Sequence, residues 1–263
     1  MKSVVTIGGG TGQYTLLSGL KKFPVNLTAV VSMADDGGST GVLRDELGVL
    51  PPGDIRQCLV ALSQAENIMR DLFNYRYENG GLKGHSFGNI FLSTLEKLTG
   101  SFEEAVRVAG MVLATRGEVM PVTTGNVALM CGHGEQACVG EHAINEARLG
   151  ERDSLRLEPT AYANPKAVAA IEGADCVVIG PGNLYCSIVP NLLVKGIPEA
   201  IARSKAAIVY NCNLMTKPGH TDGFSVLDFV REIERFLGEG RLNFVTYNDR
   251  APEKPLLVRY AEE

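Results

Sequence analysis

The residues best suited to chemistry start in a glycine-rich loop near the N-terminus. The loop consists of Gly9, Gly10, Thr11, Gly12 and Gln13. It stands directly after an apolar run and directly before a helical pattern, and it lacks the lysine of a Walker A loop. Glycines let backbone N–H groups approach phosphate oxygens, and a helix N-terminus adds a partial positive charge. The loop therefore predicts a phosphate-binding site, with a bare tight turn as the alternative.

Two adjacent aspartates, Asp35 and Asp36, follow the second apolar run, and Ser39 comes shortly after them. An acidic residue at this point of a nucleotide-binding α/β fold commonly accepts hydrogen bonds from ribose hydroxyls. Carboxylates are also the hard oxygen ligands that Mg²⁺ prefers, so one of the pair could hold Mg²⁺ against a diphosphate. An Asp-Gly turn with solvated carboxylates is the alternative.

Cationic and titratable side chains follow in two further strings. Arg44 and Arg56 are the fixed cations nearest to the predicted phosphate site, and a guanidinium suits bidentate phosphate contact, unless it forms a surface ion pair. Asp54 and Gln57 resemble a capping box. His85, in a Gly-His-Ser-Phe-Gly-Asn string before an apolar helix, can serve as acid, base or phosphate donor, or can cap the helix.

Two later loops carry further polar groups. The loop Gly180–Ser187 follows a buried strand, and its glycines, amide and hydroxyls can contact a base, sugar or phosphate. Lys217 offers a point charge for phosphate, and His220 and Asp222 can work as a pair; a plain surface loop is the alternative. His133 lies between two cysteines at a spacing that matches no standard zinc pattern, so a Gly-His-Gly turn is favoured over zinc.

The elements that must position these residues are strands and helices in alternation. Four runs are apolar on both faces and rich in β-branched residues: Val4–Ile7, Leu27–Val31, Cys176–Ile179 and Ala207–Tyr210. Such runs are typical of a parallel sheet covered by helices on both faces. Each run is followed by one of the polar loops, and ligands of parallel sheets bind at the carboxyl ends of strands. An α/β fold with one crevice lined by four loops is predicted.

Helices are expected after Gly12, from Asp54, over Phe87–Leu98, and from a capping box at Ser101. The segment Glu118–Glu141 has short β-type pieces and predicts a small β-rich insertion, an antiparallel hairpin or small subdomain. A polar connection over 150–165 then leads back to the parallel sheet. We expect one domain over residues 1–263, with the insertion at about 118–141.

Bulk composition excludes several classes of function. A net charge of −5 and a pI near 5.5 disfavour non-specific binding to nucleic acid, which needs a positive field. No apolar stretch approaches the length of a membrane span, and the apolar run at the N-terminus is too short for a signal peptide. Six scattered cysteines without a C-x-x-C pair indicate reduced thiols. A cytoplasmic location without membrane insertion is expected.

Several strings together resemble the CofD-like family, also described as the 2-phospho-L-lactate transferase superfamily. They are IGGGTG, VVSMADDGGSTGVLRDELGVLPPGDIRQCLVALS, GHSFGNIFL, IGPGNLYCSIVPNLLVKGIPEAI and YNCNLMTKPGHTDG, within about Val4 to Val230. The sequence is most similar to the gluconeogenesis factor (YvcK-like) branch. Asn183 and Cys186 stand where that branch usually has Ser and Thr, and Phe87 stands where Leu is common. Relatives usually continue beyond Arg259–Glu263 by several tens of residues, a tail expected to help close a sugar site.

The resemblance implies a Rossmann-like core, frequently dimeric, with the ligand at the strand ends. The transferase branch moves a phospholactyl group from a guanosine diphosphate-activated donor to a deazaflavin with Mg²⁺. The gluconeogenesis factor branch is associated with growth on gluconeogenic carbon sources, with cell shape and envelope synthesis, and with binding UDP-sugars such as UDP-N-acetylglucosamine. By position, Gly9 to Gly12 would serve phosphates, Asp36 the metal or ligand hydroxyls, and Gly182, Asn183 and Tyr185 the nucleotide end.

Residues and resemblance combine into one set of expectations. Asp36 and His85 are the predicted catalytic residues, and Asp36 the predicted Mg²⁺ ligand. Predicted ligand contacts are Gly9, Gly10, Thr11, Gly12, Gln13, Asp35, Ser39, Arg56, Asn89, Gly180, Gly182, Asn183, Tyr185 and Lys217. We expect a homodimer that binds a nucleotide or nucleotide-sugar as a regulator without turnover. An Mg²⁺-dependent phospholactyl transferase and a scaffold with a vestigial site are the alternatives.

Overall fold

The computed structural model describes residues 1–132, 137–149 and 154–261. Over these residues the elements are, in chain order, β1 (Lys2–Gly8), α1 (Gly10–Leu20), β2 (Val25–Val31), α2 (Gly38–Leu47), α3 (Gly53–Leu62), α4 (Asn67–Asn74), α5 (Phe87–Thr99), α6 (Phe102–Val112), β3 (Glu118–Pro121), β4 (Ala128–Cys131), β5 (Cys138–Val139), α7 (Glu141–Glu146), β6 (Arg156–Glu158), α8 (Pro165–Glu172), β7 (Cys176–Ile179), α9 (Val189–Leu192), α10 (Ile197–Arg203), β8 (Ala207–Asn211), α11 (Val226–Leu237), β9 (Phe244–Thr246) and α12 (Lys254–Ala261).

Six strands form one parallel sheet in the order β3-β2-β1-β7-β8-β9. Numbered within the sheet, this is the order 3-2-1-4-5-6 of a doubly wound nucleotide-binding fold. The strand order reverses between β1 and β7, so the loops after these two strands flank a crevice at the carboxyl edge. The predicted Rossmann-like α/β fold is confirmed.

Burial along β1 explains why its sequence is continuously apolar. Val5, Thr6 and Ile7 are successive residues and therefore point to opposite faces, yet each is at most 2% exposed. Both faces of the central strand must then be covered, as expected for a parallel sheet between helical layers. The loop after β1 thus leaves the sheet from a rigid, fully packed base.

The β-rich insertion differs from its predicted bounds. Its antiparallel sheet has the order β5-β4-β6 and runs from Ala128 to Glu158. The piece around Val119 lies instead in the main sheet, where it pairs in parallel with Ala29 of β2. Short strands carry little local information about which sheet they join, because the pairing partner is distant in sequence. The polar connection over 150–165 also contains a strand, β6.

Helix starts were predicted with mixed success. Ser101 caps α6 as expected, because its hydroxyl accepts the N–H of Glu104 at 3.3 Å. The capping box at Asp54 is wrong: α3 begins at Gly53, and Asp54 lies within its first turn. At α5 the cap is Ser86 rather than His85. In the part of the chain that the structure describes, no helix is long and apolar enough to cross a membrane.

Candidate functional site

The glycine loop opens into a polar pocket at the switch point of the sheet. The pocket has a volume of about 360 Å³ and is lined by Gly9, Gly10, Thr11, Gly12, Asp35, Asp54, Gln57, Glu141, Asn145, Gly182, Asn183, Cys186 and Ser187. Gly10 has a φ of +61°, a left-handed conformation that favours glycine. A Cβ on Gly12 would lie 2.7 Å from the carbonyl carbon of Pro181, so only glycine lets α1 pack against the loop after β7.

Asp54 occupies part of the cradle that the glycines form. Its carboxylate accepts the backbone N–H of Gly10, and a Cβ on Gly9 would lie only 3.3 Å from its carboxyl carbon. Burial, with the negative charges of Asp35 and Glu141, raises the pKa of Asp54 to about 8. The first turn of α3 therefore brings a largely protonated carboxyl group against the glycine loop at neutral pH.

Asp35 lies at the same pocket and is held by its own loop. Its Oδ1 accepts the N–H of Gly37 at 3.0 Å, and the hydroxyl of Thr40 also donates to the carboxylate. A Cβ on Gly53 would lie 2.5 Å from the hydroxyl oxygen of Thr40, so the glycine makes room for this pair. Burial raises the pKa of Asp35, and the charge of Asp36 raises it further. The two hydrogen bonds act in the opposite direction.

Asp36 does not line the pocket, contrary to its predicted catalytic and metal role. Its Oδ1 accepts the N–H of His142 at 2.8 Å, in the first turn of α7. Its other oxygen lies against Gly140, which has a left-handed φ of +98°, and a Cβ on this glycine would lie 3.0 Å from the carboxyl carbon of Asp36. The carboxylate is drawn to the free N–H groups at the start of that helix. Asp36 therefore anchors the insertion to the loop after β2.

The insertion completes the pocket through α7, which contributes Glu141 and Asn145. Burial, followed by the charge of Asp35, raises the pKa of Glu141 to about 7. The Oδ1 of Asn145 accepts the Nδ2 of Asn183 at 2.8 Å and also the Nζ of Lys217. These hydrogen bonds bring Lys217, a predicted phosphate contact, to the rim of the pocket beside Asn183.

His220 has a structural position rather than the pairing proposed with Asp222. It is 1% exposed, and its Nε2 lies 3.0 Å from the carbonyl oxygen of Ile144 on α7. The carboxylate of Asp222 accepts the N–H of Gly219 at 2.7 Å, within its own turn. The loop after β8 therefore fastens α7 against the main sheet.

Three other predicted ligand contacts do not line the pocket. Gln13 is fully buried, and its Nε2 donates to the hydroxyl of Thr6 at 3.0 Å, so it fastens α1 to β1. Tyr185 is also fully buried, with its ring 6.1 Å from that of His220. Gly180 has a φ of +72° and shapes the loop without facing the cavity. Gln13 and Tyr185 follow the glycines in sequence, but the helical turns that contain them direct their side chains into the core.

Four more predicted residues form a separate polar network. The Nε of Arg56 donates to the Oδ1 of Asn89 at 3.0 Å, and the Nδ2 of Asn89 donates to the Oγ of Ser39 at 3.2 Å. The Oγ of Ser39 lies 3.0 Å from the Nδ1 of His85. Arg56 is 8% exposed, so it forms neither the predicted pocket contact nor the alternative surface ion pair.

The sequence missed Glu141 and Asn145 as pocket residues. Nothing in the local string Gly-Glu-His-Ala-Ile-Asn marks them, because only the docking of α7 brings them to the crevice. Gln57 was assigned to a helix cap and instead lines the pocket. His133 lies outside the described residues. Within residues 1–132, 137–149 and 154–261, no three metal-ligating side chains converge as a metal site.

A doubly wound parallel sheet with a polar pocket at its switch point defines the class of Rossmann-like α/β proteins. Within that class, the family model described as 2-phospho-L-lactate transferase CofD matches residues 4–263. The chain therefore belongs to the CofD family.

Relatives and a solved structure agree with this assignment. The chain is 42% identical to the gluconeogenesis factor of Bacillus subtilis, over 99% of this chain and 83% of the relative. A relative from Nostoc sp. is 46% identical over 99% of this chain, which spans only 58% of that relative's length. The crystal structure of protein BH3568 from Bacillus halodurans has a TM-score of 0.95 and 42% identity, covering 100% of this chain and 85% of that one.

Proposed function

We propose that this chain is a cytoplasmic nucleotide-sugar-binding regulator that acts without turnover. Its ligand is a UDP-sugar such as UDP-N-acetylglucosamine, and its role is to support cell shape and envelope synthesis during gluconeogenic growth. The name gluconeogenesis factor, carried by relatives at 42% identity, supports the physiological part. The homodimer expected from the resemblance is part of the proposal, and light scattering after size-exclusion chromatography tests it.

The observation that carries the proposal is the glycine loop at the open pocket. The first N–H groups of α1 have no partner within the helix, and they lie where the helix end is partially positive. Asp54 already accepts the N–H of Gly10, which leaves the N–H groups of Thr11 and Gly12 for the phosphate oxygens. A pocket of about 360 Å³ accommodates a diphosphate with part of its sugar.

The acidic residues of the pocket fit a magnesium ion that arrives with the ligand. Mg²⁺ is usually held by one or two carboxylates together with substrate phosphates, not by a complete protein cage. Asp35 and Asp54 supply such a partial set of hard oxygen atoms, and burial raises the pKa of both carboxyl groups. Because metal binding displaces protons from its ligands, Mg²⁺ would hold Asp54 in its ionised form. In this proposal they replace Asp36 as the metal ligands. The ion would neutralise the carboxylates and the diphosphate at once.

A thermal-shift panel of GDP, UDP and UDP-sugars, each with and without Mg²⁺, tests the proposal. A ligand that binds only the folded state raises the midpoint of unfolding by mass action. We expect the largest rise with a UDP-sugar and Mg²⁺. Lys217→Ala should reduce that rise, whereas the exposed control Lys205→Ala should not. Unchanged midpoints across the panel would refute the proposed function.

A second candidate function is Mg²⁺-dependent transfer of a phospholactyl group to a deazaflavin. The observation that favours it is Glu141, because a carboxyl group with a pKa of about 7 is suited to accept a proton from an attacking hydroxyl. Transfer from a diphosphate-activated donor needs positioning and electrostatics rather than a covalent nucleophile. Incubation with guanosine diphosphate-activated phospholactate, deazaflavin and Mg²⁺ distinguishes the two functions by the presence or absence of product.

A vestigial site on a scaffold predicts a different result in cells. Gly10→Val fills the pocket beside Asp54 and Ser187 at a left-handed position, and Asp35→Asn removes a carboxylate. Under the regulatory proposal, the double variant fails to support gluconeogenic growth. Under the scaffold alternative it behaves as the wild type at equal protein level.

A further inference from the structure

The buried guanidinium of Arg56 has only neutral partners. Its Nε donates to the Oδ1 of Asn89, and its Nη1 donates to the Oδ1 of Asn74 at 2.6 Å and to the carbonyl oxygen of Phe73 at 3.5 Å. Neither an ion pair of Arg56 nor a hydrogen bond of its Nη2 occurs in the described ranges. A buried arginine without a carboxylate is costly, because its charge is left uncompensated at close range.

The surroundings of this guanidinium are themselves positive. Asn89 belongs to the first turn of α5, where the helix end carries partial positive charge, so a cation there is unfavourable. Arg76 adds a second full charge. Burial lowers the pKa of Arg56, and the charge of Arg76 lowers it further, while the charges of Asp54 and Asp35 oppose the shift. Among the described residues, neither arginine at this helix N-terminus forms an ion pair, although Asp54 and Asp35 act on Arg56 through space.

The chain is shaped to keep Arg56 in this position. A Cβ on Gly88 would lie 2.7 Å from the Cδ of Arg56, so the glycine provides the channel through which the arginine passes under α5. Arg76 pairs across a bridge with Ser86, and its guanidinium donates to the carbonyl oxygen of Gly84. Arg56 is more than nine-tenths buried, whereas Arg76 is exposed, so the cluster is accessible from the side of Arg76.

This cluster is distinct from the nucleotide pocket. Neither Arg56, Arg76 nor Asn89 lines the pocket, whose charged walls are acidic. The first turn of α2 separates the two regions: Thr40 bonds to Asp35 on the pocket side, and Ser39 bonds to Asn89 on the other. Over the described residues, the fold thus places a pocket with acidic walls next to a cluster of two arginines that form no ion pair.

We propose that Arg56 and Arg76, at the N-terminus of α5, form a second binding site for a phosphate-type oxyanion beside the nucleotide pocket. Its ligand is inorganic phosphate or the phosphate group of a phosphomonoester. A guanidinium with a free Nη2 offers the planar donor geometry that phosphate oxygens accept, and the helix end adds to the attraction. The site gives the protein a second anionic ligand in addition to the nucleotide.

Titration calorimetry with inorganic phosphate tests this site on the intact chain. We expect wild type to bind phosphate at least about tenfold more tightly than acetate, and Arg76→Ala to weaken phosphate binding about tenfold or more. Arg70→Ala is the matched control, because Arg70 is a partly exposed arginine on α4 that bonds to Asn67, and the variant should bind phosphate as wild type does. Arg56→Gln should abolish phosphate binding. If this variant does not fold, the phosphate affinity of Arg76→Ala, a change at an exposed residue, still tests the site.

Competition separates this site from the nucleotide pocket. We expect protein saturated with UDP and Mg²⁺ to bind phosphate with unchanged affinity, and Lys217→Ala to bind it as wild type. Loss of phosphate binding in the presence of UDP would place phosphate in the nucleotide pocket and overturn the inference. Three other results would also overturn the inference: Arg76→Ala binds phosphate as tightly as wild type, wild type binds acetate as tightly as phosphate, or wild type binds no phosphate. A wild type that binds phosphate but no nucleotide would refute the proposed function alone.

Discussion

The pocket has two walls that are built in different ways. One wall consists of the loops after β1, β2 and β7, which leave strands packed on both faces, together with the start of α3. The other wall is α7, a helix of six residues. It is held by a few bonds, from Asp36 in the loop after β2 to its start and from Lys217 and His220 in the loop after β8 to its end. The strand-end wall is therefore part of the packed core, whereas α7 lines the pocket through a few contacts at its two ends.

The difference predicts that changes in the strand-end wall cost stability, and changes around α7 cost mainly ligand affinity. The largest effect is expected for Gly12→Val, because its side chain would overlap the carbonyl group of Pro181. We expect a loss of about 4 kcal/mol or more in the free energy of unfolding. Gly19→Ala on the same helix has no atom within 4 Å of the added Cβ and should be neutral or stabilising. Equal urea midpoints for Gly12→Val and Gly19→Ala would contradict the packing.

The second effect concerns pH and Asp54. Its pKa is about 8 in the folded protein and near 3.8 when unconstrained, so the folded state binds more protons between these values. Stability should therefore fall as pH rises from about 4 to 8. Asp54→Asn keeps an acceptor for Gly10 without the charge and should be on the order of 2 kcal/mol more stable than wild type at pH 8 in metal-free buffer. The difference in the free energy of unfolding between Asp54→Asn and wild type should vanish near pH 4. Urea unfolding at both pH values measures this difference, and the same difference at both would contradict the raised pKa.

A smaller effect is expected where α7 is fastened. His220→Phe retains the buried volume but leaves the carbonyl oxygen of Ile144 with the N–H of Ala147 as its remaining donor, a cost of about 1 kcal/mol. Amide hydrogens of α7 should exchange faster, and the affinity for the UDP-sugar should fall. His142→Gln is the control, because His142 is exposed and only its backbone N–H bonds to Asp36. Unchanged exchange in α7 would show that this helix is held by other contacts.

The smallest change in stability is expected for Lys217→Ala at the rim. Lys217 is partly exposed and bonds to the neutral Asn145, so the free energy of unfolding should stay within about 0.5 kcal/mol of wild type. Affinity for a diphosphate ligand should fall about tenfold, and that for uridine should not change. A loss of the same size for uridine would assign Lys217 to the base or sugar instead of the phosphates.

The sequence predicted the strand-end wall of the pocket, because the position of that wall depends on local patterns. Continuous apolar runs such as Val4–Ile7 locate the buried parallel strands, and the glycines after them locate the loops at the carboxyl edge. The direction in which the side chains of these motifs point was harder to predict from the sequence. Gln13 and Tyr185 follow glycines of the pocket, yet the helical turns that begin there carry them into the core.

The remaining part of the site depends on contacts between distant segments. Glu141 and Asn145 reach the pocket only because α7 docks on three separate loops, and no spacing rule encodes that docking. Arg56 was expected at the phosphates because it is one of the fixed cations nearest to the predicted phosphate site and its guanidinium suits bidentate phosphate contact. It lies elsewhere, since Gly88 opens a channel toward Asn89 on another helix.

Calorimetric titration of the protein with UDP-N-acetylglucosamine, in Mg²⁺ and again after chelation, tests the role of the pocket most directly. We predict binding at one site per chain in Mg²⁺, and much weaker binding without the ion or in Asp35→Asn. This prediction would be contradicted if Asp35→Asn bound UDP-N-acetylglucosamine as tightly as wild type, or if wild type bound none with or without Mg²⁺.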